Sequence, residues 1–150
     1  MPDETTPAGE QFFSLMTRLR KLGMGNPASG TALVSPAQMA LLDWIAASDG
    51  CGVQDIADGL GLTSPTVSVG VRRLEQAGLL KRRPNPQDKR AVQFFLTAKG
   101  QSLQEQSQIF RRQKLELILS GLTQTEQDSL LELLAKALQV AESRDAEENR

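Results

Sequence analysis

Apolar residues recur along this chain every three to four positions in most segments and every second position in one short stretch. That change of period marks out its elements. Phe12, Met16 and Leu19 share one face of a first helix expected over Glu10–Leu22, with Phe13 and Arg20 turned elsewhere. Ser35 and Pro36, a cap followed by a proline at the first helical position, open a second helix that runs to Ala47. Met39, Leu42, Trp44 and Ile45 supply its buried side. A short helix, Val53–Leu60, stops at Gly61, and the turn Gly61-Leu62-Thr63 leads into a further helix that ends at Gly78. Val67, Val71 and Leu74, at i, i+4 and i+7, are its buried stripe. Ser64 is a good cap for this helix and puts Pro65 at its first position; Thr63 is the competing cap. Leu79–Arg83 and Ala91–Leu96 read as two antiparallel strands, with Cys51–Val53 as a possible short addition to their sheet. Thr97 then caps a long helix, Ala98 to Leu119, with a mixed apolar face of Leu103, Ile109, Phe110, Leu117 and Ile118. Gly121 breaks it, and Thr123-Gln-Thr-Glu126 is a capping box that starts a last helix. Leu130, Leu134, Ala137 and Ala141 form a stripe there, widened by Leu131, Leu133 and Leu138, which is more than the terminal helix of a monomer needs. Residues 1–9 are expected to be disordered, Gly23 to Gly30 to form a loop, and Asp49-Gly50 a turn.

Two helices joined by a tight glycine turn read as a helix-turn-helix, whose second helix enters the DNA major groove with its N-terminal residues against base edges. Taken alone, the pair has a plainer reading as a helical hairpin in an all-α core. The face opposite the buried stripe carries Ser64, Thr66, Ser68, Val69, Arg72 and Arg73, small polar groups first and then cations. Pro84-Asn-Pro-Gln-Asp-Lys-Arg90 joins the two strands, and prolines that cannot donate to a sheet ladder belong in a loop or at its edge. A β-hairpin directly after a helix-turn-helix is a wing. From Arg72 to Arg90 there are seven basic residues against two acids, a net of +5.

The segments Gln54-Asp-Ile-Ala57, Ser64-Pro-Thr-Val-Ser68, Arg73-Leu-Glu-Gln-Ala-Gly-Leu79, Asp88-Lys-Arg90 and Leu96-Thr-Ala-Lys-Gly100 are more specific in their order and spacing than any one of them is alone. By these landmarks, residues 36–100 resemble the winged-helix domain of the MarR family of bacterial transcription regulators. The resemblance implies a wing-tip arginine in the minor groove, here Arg90, and an acid that holds it in position, here Asp88. The implied DNA-binding set is Ser64, Pro65, Thr66, Ser68, Val69, Arg72 and Arg73 on the helix with Arg82, Arg83, Asp88, Lys89 and Arg90 on the wing. Val69 departs from the family, in which many members have arginine or another long polar residue directly after the serine of this helix. Valine cannot make arginine's bidentate contact to guanine, though it can pack on a thymine methyl, so the site that is read should differ from the common half-site.

The resemblance further implies a two-fold dimer in which the first helix and the last two pack against their counterparts. The two wings would then reach half-sites separated by about one turn of DNA. The chain would divide into an N-terminal dimerisation helix and loop over 10–35, a winged helix-turn-helix domain over 36–100, and C-terminal dimerisation helices over 101–146. Family members often bind small aromatic or anionic molecules between the dimer helices and the DNA-binding lobe. Candidate lining residues are Phe12, Met16, Arg20, Trp44 and Phe110, with Arg20 the one cation among them to meet a carboxylate. The plainer reading of these five is core with a surface arginine. Redox sensors of the family carry their reactive cysteine in the first helix with tyrosine partners, and this chain has neither; its one cysteine is Cys51.

Composition narrows the rest. At 150 residues the chain is one domain's worth, and its 23% charged and 39% hydrophobic residues are ordinary for a soluble protein. The net charge of −1 conceals a distribution that is basic at the wing and acidic at the tail, where Glu142, Asp145, Glu147 and Glu148 outnumber Arg144 and Arg150. A DNA-binding protein needs positive charge only on the face that meets phosphates. There is no histidine and no tyrosine, which removes the commonest general base, imidazole triads and the usual zinc sites. Asp55 and Asp58 are most simply solvated, and Gly59-Leu-Gly61 is a helix stop rather than a phosphate loop. No enzyme activity, cofactor or metal is expected. No apolar run approaches membrane-spanning length, and the polar, acidic start of the chain argues for a cytoplasmic protein. The expected fold is mainly α with a small β-hairpin wing, a winged helix-turn-helix domain flanked by N- and C-terminal dimerisation helices. The expected function is sequence-specific binding of double-stranded DNA by a homodimeric regulator, a repressor on a palindromic operator, modulated by a small-molecule ligand. The alternative is a winged-helix protein-interaction module, which would have no need of Arg82, Arg83, Lys89 and Arg90 beside an Asp-x-Arg signature.

Overall fold

The computed structural model describes residues 6–24, 34–48 and 50–148. Its elements in order are α1 (Pro7–Lys21), α2 (Pro36–Ala47), α3 (Val53–Leu60), α4 (Ser64–Gln76), β1 (Leu80–Pro84), β2 (Val92–Leu96), α5 (Ala98–Leu119) and α6 (Gln124–Glu148). Local chemistry sets most of these boundaries. Ser35 accepts from the Gln38 backbone N–H at 3.2 Å while the Gln38 side chain accepts from the Ser35 N–H at 2.9 Å, a reciprocal cap for α2. Thr123 and Glu126 make the same exchange at the start of α6, at 3.3 and 2.8 Å. Gly61 (φ +63°) and Gly78 (φ +74°) end α3 and α4 in the left-handed conformation, where a side chain would be strained. In each case the next N–H closes the helix end, from Leu62 to the Ala57 carbonyl and from Leu79 to the Leu74 carbonyl, both at 2.9 Å.

The chain divides into two units, residues 1–112 and 113–150. In the first, α2, α3, α4 and the β1–β2 hairpin share one core. Leu42, Ile56 and Val67 have no solvent exposure, and Val71, Leu74, Leu79, Leu80 and Phe94 close around them. β1 and β2 pair antiparallel with Leu80 opposite Leu96, Arg82 opposite Phe94 and Pro84 opposite Val92. The expected third strand is a single bridge from Cys51 to Phe94, whose N–H donates to the Cys51 carbonyl at 2.9 Å. Cys51 is buried, and burial followed by the nearby Asp55 charge pushes its thiol pKa up, away from the thiolate form that reacts.

Several details differ from expectation. α1 starts at Pro7 rather than Glu10, because Thr6 accepts from the Gly9 N–H at 3.1 Å and the proline fits the first position. No residue of α1 is buried, so Phe12, Met16 and Leu19 do not form a core stripe within this chain. Leu41 joins the buried side of α2, whereas Trp44 is only partly covered. β1 is displaced by one residue, to Leu80–Pro84, and β2 loses its first, leaving Val92–Leu96. Along α5 the buried positions are the small residues Gly100 and Ser107, while Ile109 and Leu117 are 55% and 63% exposed. Residues 1–5, most of the expected loop (25–30) and Asp49 lie outside the described residues.

α5 is tied to α2 by a polar contact. Arg111 reaches the Asp43 carboxylate with both terminal guanidinium nitrogens, at 2.6 and 2.9 Å, and Gln104 adds a bond at 3.1 Å. Burial works to raise the Asp43 pKa, but the hydrogen bonds from Arg111 and Gln104 and the Arg111 charge outweigh it and hold the carboxyl below its usual 3.8. A pKa depressed by folding contributes stability that is complete above the unfolded value and is lost as pH falls through the folded one. Asp43→Asn is therefore expected to melt at lower denaturant than the parent at pH 7, by about 1 kcal/mol. The gap should close as pH drops below 3.8; a gap as wide at pH 3 as at pH 7 would show that the carboxylate charge is not what holds α5.

Candidate nucleic-acid interface

The burial of Val67, Val71 and Leu74 decides which way α4 faces. With that stripe inward, Pro65, Thr66, Ser68, Val69, Arg72 and Arg73 are exposed, and Val69 shows 49% of its surface. Thr63, not Ser64, is the cap: its extended backbone lets its hydroxyl accept from the Thr66 N–H at 3.4 Å. Ser64 is already helical, and its hydroxyl donates instead to Gln54 Oε1 on α3 at 3.1 Å, which leaves it half-buried. Gln54 in turn donates to Asp58 at 2.8 Å, and Asp55 accepts from the Gly52 N–H at 2.9 Å, so both aspartates serve the helix they sit on.

Two depressions flank the exposed face of α4. One, roughly 540 Å³, lies between α4 and the wing; Gln54, Ser68, Arg72, Arg82, Asn85 and Gln93 are on its walls. The other, roughly 420 Å³, lies towards the start of α2 and is lined by Ser35, Gln38, Leu62, Thr66, Val69 and Arg73. Gln54, Asn85, Gln93 and Ser35 are polar groups beside the helix that sequence reading did not select. Gln54 left a trace only as the first residue of the landmark Gln54-Asp-Ile-Ala57, and Ser35 only as a helix cap.

At the wing tip, Asp88, Lys89 and Arg90 are exposed. Asp88 Oδ1 accepts from the Arg90 backbone N–H at 3.0 Å, and the Asp88 carbonyl accepts from the Ala91 N–H at 3.0 Å. The acid thus orders the turn that carries Arg90. Asn85 closes the same loop, accepting from the Gln87 N–H at 2.9 Å through its side chain. The other two wing arginines are not brought together. Arg82 lies on the hairpin face that holds Leu80 and Phe94; its guanidinium is 5.7 Å from the Phe94 ring and paired with Glu75. Arg83, one residue on, stacks over Phe95 at 5.5 Å on the opposite face.

Of the five residues expected to line an effector crevice, Phe12 and Arg20 are exposed and Met16 is half-buried. The Trp44 ring lies over Gly59 of α3, so close that a Cβ there would stand 2.0 Å from it. Phe110 is half-buried and lies against Gly23, just after α1. Among the described residues no cluster of acids, cysteines or histidines is arranged to hold a metal ion, and no helix is long and apolar enough to cross a membrane.

Three helices, the last presenting a small polar and cationic face, followed by a basic antiparallel hairpin, make a winged helix-turn-helix. The MarR family model matches residues 34–92. The chain is 33% identical over 103 residues to the HTH-type transcriptional regulator YkoM of Bacillus subtilis (strain 168), covering 69% of this chain and 67% of that one. It is 30% identical over 110 residues to the HTH-type transcriptional repressor MdtR of the same organism, covering 73% and 71%. Among solved structures it is similar to Streptococcus pneumoniae FabT in complex with DNA, with a TM-score of 0.82 and 23% identity over 91% of this chain and 96% of that one. The chain belongs to the MarR family and is a DNA-binding transcriptional regulator, not an enzyme.

Arg90 is exposed and its side chain has no partner among the described residues, so its loss should be felt only in binding. Arg90→Ala is expected to weaken duplex binding roughly tenfold and to lower the slope of log K against log salt by about 0.9, the signature of one lost phosphate contact. Its melting temperature should match the parent's. Unchanged affinity in a fluorescence-anisotropy titration would count against a wing that touches DNA.

Proposed function

We propose that the protein is a homodimeric repressor that binds a palindromic operator in the cytoplasm and releases it when a small aromatic or anionic ligand binds. The carrying observation is an apolar surface that the chain leaves uncovered on its terminal helices. On α6, Leu130, Leu131, Leu133, Leu134 and Leu138 are all exposed, and so are Phe12, Phe13 and Leu15 on α1. Helix faces this apolar are covered in solution by something, and a second copy of the same helices is the occupant always present at the right concentration. The N-terminal helix and loop (10–35) and the C-terminal helices (101–146) are accordingly the proposed dimerisation segments, with 36–100 as the reading head. Two reading heads related by a two-fold axis require two half-sites in inverted repeat. The relative MdtR is named a repressor, which favours repression over activation.

On this reading the helix residues Ser64, Pro65, Thr66, Ser68, Val69, Arg72 and Arg73 meet the major groove. Thr66, Ser68 and Val69, exposed in the N-terminal half of α4, are the proposed base readers. Arg83, Lys89 and Arg90 serve the phosphates and minor groove, with Asp88 ordering the turn. The effector is proposed to bind beside Phe12, Met16, Arg20 and Phe110, with Trp44 supporting from behind, and to act by population shift. It favours a separation of the two α4 helices that no longer matches the half-sites, and the affinity lost equals its preference for that state.

The test is selection from a pool of random duplexes at moderate salt. Enrichment of an inverted repeat with half-site centres about ten base pairs apart is expected. Retention without a motif, lost as salt rises, would leave only the electrostatic attraction and sink the sequence-specific reading. Dimerisation has its own check: Leu134→Glu, which puts a charge on the exposed α6 stripe, is expected to shift the mass seen by light scattering from two chains to one. A dimer that survives it would move the interface elsewhere.

A further inference from the structure

Arg82 is one of the basic residues expected at the DNA interface, yet its guanidinium is already engaged from two sides. Nε and Nη2 donate to Oε2 and Oε1 of Glu75 at 2.8 and 2.5 Å, a fork-to-fork pair, while the flat face of the group lies 5.7 Å from the centroid of the Phe94 ring. Glu75 belongs to the last turn of α4, Arg82 to β1 and Phe94 to β2, where Phe94 is buried and pairs with Arg82 across the hairpin. One side chain therefore joins the recognition helix to both strands of the wing. The arrangement follows from strand alternation: Leu80, Arg82 and Pro84 share a face, and that face is turned towards the core and α4, whereas Lys81 and Arg83 are on the other. The Glu75 side chain is only 21% exposed. Its carboxyl is held below the usual range first by the hydrogen bond from Arg82 against the opposing effect of burial, as a charge committed to one partner should be.

We propose that Glu75 and Arg82 form a clamp that sets the angle of the wing against the recognition helix, and that Arg82 is a positioning residue rather than a contact to DNA phosphate. Major-groove and minor-groove contacts must be made at once, by α4 and by the wing tip, so the angle between them decides whether both reach. A bidentate pair fixes direction as well as distance, which a lysine or a free arginine cannot do. An acid on a DNA-facing surface otherwise repels phosphate; this one is retained because it orients the hairpin.

The proposal rests on the DNA-binding reading and makes sign predictions of its own, measured with the duplex recovered by selection. Glu75→Gln is expected to weaken binding at least threefold, although it removes a negative charge. If Arg82 were instead a phosphate contact for which Glu75 competes, the same change would free it and tighten binding. Arg82→Ala and Arg82→Lys should weaken binding alike, with the slope of log K against log salt unchanged. A phosphate contact would lose about 0.9 from that slope in the alanine variant and be largely rescued by lysine. The double variant Glu75→Gln/Arg82→Ala should bind no worse than Arg82→Ala alone, since both act through one contact. Without DNA, Glu75→Gln should speed hydrogen exchange of wing amides in residues 81–83 and 92–95 while those of α2 stay protected, a readout that does not depend on the operator. Equal or tighter binding by Glu75→Gln, a fallen slope or lysine rescue at position 82, or wing exchange that does not change would each overturn the clamp while leaving the DNA-binding reading intact. Failure of the parent chain to retain any duplex would overturn both.

Discussion

The recognition face of this protein depends on the burial of three side chains, Val67, Val71 and Leu74, which have between 0% and 2% of their surface exposed. At helical spacing they occupy one side of α4, and packing them against Leu42, Ile45 and Ile56 leaves the helix a single orientation. Which side chains α4 presents follows from that constraint. Thr66, Ser68, Val69, Arg72 and Arg73 are outward because the stripe is inward, and rotating the helix to present a different set would expose apolar area worth several kcal/mol. The left-handed glycines at either end, Gly61 and Gly78, hold the helix to its length, so the turn before it and the wing after it start from fixed points.

The wing adds charge, but that charge is sorted by the pleat of the hairpin. Residues adjacent in sequence are on opposite sides: Arg82 turns to Glu75 and Phe94, Arg83 to Phe95. At the tip, Asp88 and Asn85 order the turn with their side-chain oxygens, and Lys89 and Arg90 are exposed. A net positive count over the region is thus a poor measure of what reaches a phosphate. One of those cations is neutralised within the fold, and its structural role explains an acid near a surface that should otherwise exclude one.

The winged-helix core and the terminal helices differ in how well they satisfy themselves. The winged-helix region encloses a core that runs from Val34 to Phe94, with the polar Asp43–Arg111 tie holding α5 to α2. α1 and α6, by contrast, have no buried residue of their own. That asymmetry is the physical ground for assigning the terminal segments to association and the central segment to reading.

Much of this was legible in the chain. Helical periodicity with its caps located α2 to α6 to within a residue or two, because a capping box or a proline at the first turn is a local device that needs no distant partner. The Asp-x-Arg tip and the stripe of α4 were equally local. What sequence could not supply was any choice that turns on a partner far along the chain. Thr63 prevails over Ser64 as the cap because Gln54, ten residues away, takes the Ser64 hydroxyl. Trp44 covers Gly59, and Cys51 is walled in beside Phe94. Arg82 looked like one more basic residue of a wing until the pairing register placed it across from Phe94 and within reach of Glu75. By itself the sequence determined the elements, their order and the residue types on each face, since those follow from spacing and backbone chemistry. Only the tertiary structure decided which of the polar and charged groups are committed to one another and which remain exposed, since that depends on distances between segments that spacing does not encode.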